Sequence, residues 1–150
     1  MGRFRFRMQN ILGIKEKIEE QEKQAFAMAA SKLAEEEELL ELCKQKKAEL
    51  EEKARELRRK KIDVLKLKES EALLKYQDEV IKAQLVKVRA AQKNLETQRI
   101  KMQKAVQERK TYDILRDKAF EEFMKEENAA EAKEIDQLTS YTYGKKTKDN

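Results

Sequence analysis

No proline occurs in this 150-residue chain, and its only glycines are Gly2, Gly13 and Gly144. Those two residue types punctuate turns and loops, so a stretch from Ile14 to Tyr143 without them leaves few architectures open. Such a chain forms long helices or stays disordered. Histidine is also absent, which removes the commonest general base and the commonest metal ligand. Cys43 is the only cysteine. It has no partner for an intramolecular disulfide and no imidazole beside which to build a zinc site. Neither a G-x-G-x-x-G nor a Walker A pattern is present, so nucleotide binding by the chain itself is not expected. No apolar run approaches the roughly 18 residues of a membrane span, and the N-terminus lacks the apolar core of a secretion signal. Met1-Gly2 opens like a myristoylation signal, but that pattern wants Ser or Thr where Phe6 stands. These absences argue against most enzyme classes. They point to a cytoplasmic protein that acts by contact, with no metal, no cofactor and no small-molecule ligand.

What remains is a heavily charged chain with a narrow apolar stripe. Charged residues make up 43% and hydrophobic residues 39%, yet aromatics reach only 6% and tryptophan is missing. A compact globule of this length needs a wider apolar face. Ala, Glu, Lys, Leu and Arg at 3.5-type spacing are instead the mark of coiled coils. The 35 basic and 30 acidic residues leave a net charge of only +5, a mixed surface rather than one built for a polyanion.

The second half carries the cleaner pattern. Leu74, Ile81, Val88, Leu95 and Met102 recur at every seventh position, and Arg109 and Arg116 interrupt the row before Phe123 and Ala130 resume it. A companion row runs Ala91, Gln98, Ala105, Tyr112, Ala119. Two such rows are the a and d positions of a heptad and line one side of a helix. They predict a helix from residue 64 or 71 to about 139, roughly 100 Å long. The first half is rougher. Phe4, Ile11, Ile18 and Ala25 form one row, and Phe26, Leu33 and Leu40 form another displaced by one residue. Cys43, Leu50, Leu57 and Val64 complete the stripe. The displacement reads as the drift of a 3.6-residue helix that does not hold strict heptads, in a helix from about residue 5 to about 60.

Between the two, Arg58-Arg59-Lys60-Lys61 packs positive charge where the dipole of an ending helix favours it. Asp63 then stands as a cap for helix two, with Ile62 and Leu67 at the spacing of a hydrophobic staple. Ser70 is the alternative cap, and one unbroken helix the alternative fold. Charge favours folding back: residues 81–118 hold eleven Lys/Arg against four Asp/Glu, and residues 119–138 two against seven. A fold-back near residue 64 sets Glu35 to Glu38 opposite Lys93 and Arg3, Arg5 and Arg7 near Glu126, Glu127 and Glu131. It also brings Phe4 near Phe123. Exposed pairs of this kind choose antiparallel register more than they stabilise it. Lys47, Glu36, Gln98 and Arg109 fall where an ideal seam has Leu or Ile. The isolated hairpin should therefore be marginal, and a partner would complete what the seam does not. The expected fold is all-α, a single long two-helix antiparallel coiled-coil hairpin. Helix one covers about 5–60, the turn about 61–70, helix two about 71–139, and a disordered tail about 140–150.

Three features invite sharper readings. Cys43 shares a row with Leu50 and Leu57, which suits a small seam residue; nothing nearby would activate a thiol. The basic stretch from Lys87 to Lys118 has few aromatics and is broken by acids, so it reads as a solvated face or a complement to an acidic partner rather than a nucleic-acid site. Arg3-Phe4-Arg5-Phe6-Arg7 alternates like a strand yet also opens a helical stripe with Met8 and Ile11. Pairing with the end of helix two and contact with a membrane surface both remain open for it.

Two terminal stretches carry a resemblance. The first is Phe4-Arg5-Phe6-Arg7-Met8-Gln9-Asn10-Ile11-Leu12 followed by Lys15-Glu16. The second is Leu115-Arg116-Asp117-Lys118-Ala119-Phe120, then Phe123, Glu126-Glu127, Ala129-Ala130-Glu131 and Lys133-Glu134-Ile135-Asp136. Together they resemble the FliJ family, the coiled-coil component of the flagellar type III protein export apparatus. The resemblance implies a hairpin similar to the rotor stalk of rotary ATPases, without enzymatic activity. It further implies a protein in the cytoplasm and at the cytoplasmic face of the cell membrane, monomeric when alone. The implied partners are a hexameric export ATPase whose assembly it promotes, the regulatory subunit of that ATPase, a membrane export-gate protein and export chaperones. By the same resemblance, Phe4, Arg7, Leu12, Arg116, Phe120 and Phe123 would enter the ATPase ring, and Arg58, Arg59, Lys60, Lys61 and Tyr76 would face the gate. Two other classes stay open: a jaw-like holding chaperone with apolar helix tips, and a scaffold or tether that dimerises through its seam.

Overall fold

The structure is a computed structural model that describes residues 2–148, with side chains through residue 145. Helix α1 spans Gln9–Arg59 and helix α2 spans Val64–Lys148. The two pack against each other as a hairpin, and no strand forms among the described residues. The unbroken alternative is thereby set aside.

Lys60–Asp63 connect the helices. Arg58 and Arg59 occupy the last turn of α1, where their charge meets the negative end of the helix dipole. The Asp63 carboxylate accepts the Leu65 N–H at 3.1 Å, and the Asp63 carbonyl accepts the first helical bond of α2 from the Leu67 N–H at 3.1 Å. Asp63 is therefore the cap, not Ser70, and α2 begins at Val64 rather than about 71. The expected staple contributes little, because Ile62 stays 70% exposed. An early cap also moves the register. Each residue by which a turn shifts moves the facing position by two, so Glu36 meets Gln84 and lies near Lys87 rather than Lys93.

Both outer boundaries differ from expectation too. α1 starts at Gln9 instead of about residue 5. A tight turn from the Gln9 N–H to the Phe6 carbonyl (3.1 Å) precedes the first helical bond, from the Leu12 N–H to the Met8 carbonyl (3.0 Å). Met8 offers no capping oxygen and the first turn holds no acid, so nothing prolongs the helix back through the Arg-Phe repeat. At the other end α2 continues through the expected disordered tail to Lys148; residues 149 and 150 lie outside the described residues. Gly144 alone disfavours helix there, and the Thr139 and Thr142 hydroxyls are satisfied within it, on the carbonyls of Ile135 and Leu138 at 2.8 Å each.

Burial on α1 follows an unbroken heptad, not a drifting stripe. One row is Leu12, Glu19, Phe26, Leu33, Leu40, Lys47 and Ala54; the other is Lys15, Glu22, Ala29, Glu36, Cys43, Leu50 and Leu57. Every one of these is buried or half-buried. Ile11 and Ile18 lie one position off this seam, and Ile11 is 39% exposed. The apparent displacement arose because charged residues occupy seam positions and hide the repeat. On α2 both expected rows are covered from Leu74 to Tyr112, with Gln77 and Gln84 extending the second row backwards; Arg116 and Ala130 are exposed.

Two compact units are distinguished by their internal packing: Met1–Glu19 with Lys104–Asn150, and Glu20–Gln103. Within the first, Lys15 pairs with Glu108 and Glu19 with Arg109, while Phe4 meets Phe120 and Phe123. Within the second, Glu36 pairs with Gln84, Cys43 with Gln77 and Lys47 with Asp78. Across each set the trend is opposed: from Phe4 to Glu19 the partner moves from Phe120 and Phe123 back to Glu108 and Arg109, and from Glu36 to Lys47 it moves from Gln84 back to Gln77 and Asp78. Both are antiparallel.

Candidate docking surfaces

In the first unit Gly2–Phe6 form neither helix nor strand, Arg7 and Met8 make the turn into α1, and exposure along the segment alternates. Arg3, Arg5 and Arg7 are exposed, whereas Phe4, Phe6 and Met8 are half-buried. This is the period of a strand, and it decides between the two readings that the repeat allowed. Phe4 packs edge-on against Phe120 with ring centroids 5.2 Å apart and planes at 79°, and tilts at 52° over Phe123 at 5.5 Å. Such contacts between rings add about 0.5–1.5 kcal/mol to simple burial. The Gly2 N–H donates to Glu127 Oε1 at 3.3 Å; a Cβ here would stand 2.8 Å from that oxygen and push the flexible end of the Glu127 side chain aside.

Of the residues expected at this end, Phe4, Phe120 and Phe123 converge. Arg7 and Arg116 are exposed and join no ion pair among the described residues. Leu12 is 0% exposed. It cannot touch a partner, and its role is to hold the seam; an apolar residue in a terminal motif is as readily core as contact. The predicted pairing of Arg3, Arg5 and Arg7 with Glu126, Glu127 and Glu131 does not form.

Behind the aromatic cluster the seam is ionic. Arg109 donates Nε to Glu19 Oε2 at 2.5 Å and Nη1 to Asp113 Oδ2 at 2.5 Å, and Lys15 meets Glu108 at 3.1 Å. The Glu19 bond first, then the Asp113 bond, raises the Arg109 pKa. Arg109 was visible in the sequence as an interruption. Glu19 was not, and only the row through Leu12 could have flagged it.

In the second unit, Arg58, Arg59, Lys60 and Lys61 are all exposed at the turn. Tyr76 is 68% exposed. Because the helices run antiparallel, the residue preceding a seam position on either helix leans to the same side of the seam. Leu39, Leu42, Leu73 and Tyr76 each precede one, and all four are exposed. They form an apolar face that sequence reasoning assigned only through Tyr76. The core beneath is polar. Gln77 donates to the Cys43 carbonyl at 2.9 Å, and Gln84 to both the Glu36 carbonyl (2.9 Å) and its carboxylate. Glu36 is only 6% exposed; its bonds from Lys32 and then Gln84 outweigh desolvation and lower its pKa. Asp78 raises that of Lys47.

Among the described residues, no group of three or more acidic or cysteine side chains gathers to hold a metal ion, and no helix is long and apolar enough to cross a membrane. Turning to known proteins, the family described as "Flagellar FliJ protein" matches residues 4–148. No curated protein sequence matches the chain. Among solved structures, a YscO homolog from Chlamydia trachomatis, CT670, shares the fold with a TM-score of 0.73 and 18% identity, over 99% of this chain and 100% of that one.

Proposed function

The chain belongs to the flagellar FliJ family of type III export components, and on that premise we propose that it is a non-enzymatic stalk component whose two compact units meet different partners. Its first unit docks in the hexameric export ATPase and promotes assembly of that ring. Its second unit presents the turn and the adjoining apolar face to the membrane export gate, which puts the protein at the cytoplasmic face of the membrane. The observation that carries this reading is the unlikeness of the two surfaces. The Phe4–Phe120–Phe123 cluster belongs wholly to the first unit. The four turn cations and the Leu39, Leu42, Leu73 and Tyr76 face belong wholly to the second. Packed aromatics suit a fixed socket, whereas clustered exposed charge mainly accelerates a salt-sensitive encounter.

Charge reversal at Arg58, Arg59, Lys60 and Lys61 is expected to weaken gate binding and spare ATPase stimulation. Replacing Phe120 and Phe123 by serine should do the opposite, provided circular dichroism shows intact helices. Equal loss of one partner by both variants would refute the division. A second reading, a general export chaperone that holds clients, has its own support. Ile62, Val64 and Leu65 at the turn, and Ile135, Leu138 and Tyr141 near the end of α2, are exposed apolar side chains at helix tips. It predicts that the purified protein slows aggregation of an unfolded export substrate, and that Leu65→Ser with Leu138→Ser does not.

A further inference from the structure

The three N-terminal arginines are exposed. Among the described residues none of Arg3, Arg5 and Arg7 makes an ion pair, although Glu127 is close enough to hold Gly2. The segment that carries them is nonetheless ordered: Phe4 is clamped by two rings and Gly2 by a carboxylate. A ligand would find it already extended and would not have to order it. Along this segment Arg3, Phe4 and Arg5 neither give nor accept a backbone hydrogen bond among the described residues; Phe6 is the first that does. An extended chain with an open edge is a template for an added strand.

Its side-chain spacing selects the occupant. Guanidiniums at alternate positions of a strand stand about 6.6 Å apart on one side. Carboxylates at alternate positions of a second extended chain repeat at the same distance, whereas those on a helix recur every three or four residues. A bilayer surface fits poorly. Phe4 and Phe6 turn inward rather than outward, so the segment offers no apolar side chain to insert among lipids.

We propose that Gly2–Phe6 is a clasp for an acidic partner segment in extended conformation, which adds as a strand along the open edge and sets its carboxylates on Arg3 and Arg5, with Arg7 a further cation at the turn beyond. The proposal rests on the reading that this unit docks on a partner, and names the chemistry of what it grips. The test uses the full chain and fluorescence anisotropy with a labelled peptide bearing glutamates at alternate positions among Thr and Val. An isomer with the same glutamates in one block and mixed phosphatidylcholine–phosphatidylserine vesicles are the comparisons. The alternating peptide is expected to bind more tightly than the block isomer, and more weakly as salt rises. Arg3→Ala, Arg5→Ala and Arg7→Ala together should weaken it about tenfold. Phe4→Ala should also weaken it while leaving all three charges in place. Equal binding of the two isomers, an unaffected triple variant, or preference for vesicles would each overturn the clasp. If the peptides fail while the protein still captures the hexameric ATPase, the clasp falls and the docking reading stands.

Discussion

Truncating Leu12 to alanine should destabilise the first unit by about 3 kcal/mol, within the roughly 2–5 kcal/mol range for fully buried leucines. Leu12 is 0% exposed, the most deeply covered large side chain among the described residues, while its neighbour Ile11 remains 39% exposed. Ile11→Ala removes side-chain surface that is already partly wet, so its cost should be about 1 kcal/mol or less. The two substitutions sit side by side on the same helix, and neither introduces a residue that disfavours helix. The contrast therefore isolates the seam. Urea titration followed by circular dichroism at the helix band gives both values, with an unchanged denaturant slope marking a change in stability rather than in the unfolded state. If Ile11→Ala costs as much as Leu12→Ala, the seam runs along the Ile11–Ile18 row and the continuous heptad through Leu12, Lys15 and Glu19 is wrong.

Asp63→Ala should cost about 1 kcal/mol through loss of the α2 cap, and Ser70→Ala should cost much less; thermal melts of the two variants decide which residue starts the helix. Because the folded pKa of Glu36 is lowered, its contribution is fully present above the ordinary glutamate range and is lost as pH falls through the folded value. Urea midpoints should accordingly drop on acidification, and Glu36→Gln should flatten that dependence; an equally steep profile in the variant would remove Glu36 from the account. Gly2→Val should displace the end of the Glu127 side chain, which is flexible, and loosen Gly2–Arg7 without moving the global midpoint. Faster tryptic cleavage after Arg3, Arg5 or Arg7 is the readout.

Much of the fold was legible because its signals are local. Missing glycine and proline, the rows Leu74 to Met102 and Ala91 to Ala119, and the cations before Asp63 act within a turn or two of helix. Those suffice for two helices and a hairpin. The first half misled for an equally local reason: Lys15, Glu19, Glu22 and Glu36 hold seam positions that a hydrophobic pattern cannot see. The partners of Lys15, Glu19 and Glu36, namely Glu108, Arg109 and Gln84, lie on the other helix, at sequence separations such as 90 for Glu19 and Arg109. Of the residues expected at docking surfaces, the phenylalanines and the turn cations needed only the pattern. The Leu39, Leu42, Leu73 face needed the side of the seam, which depends on register.

The sequence by itself determined that this protein is helical and hairpin-forming, since helix propensity and apolar period are properties of neighbouring residues. Only the tertiary structure decided where the seam runs, that Leu12 is core rather than contact, and that Arg3, Arg5 and Arg7 are left without acidic partners among the described residues. Those outcomes turn on where the second helix begins. The cap at Asp63 sets that start, and each residue of shift at the turn displaces every facing pair by two.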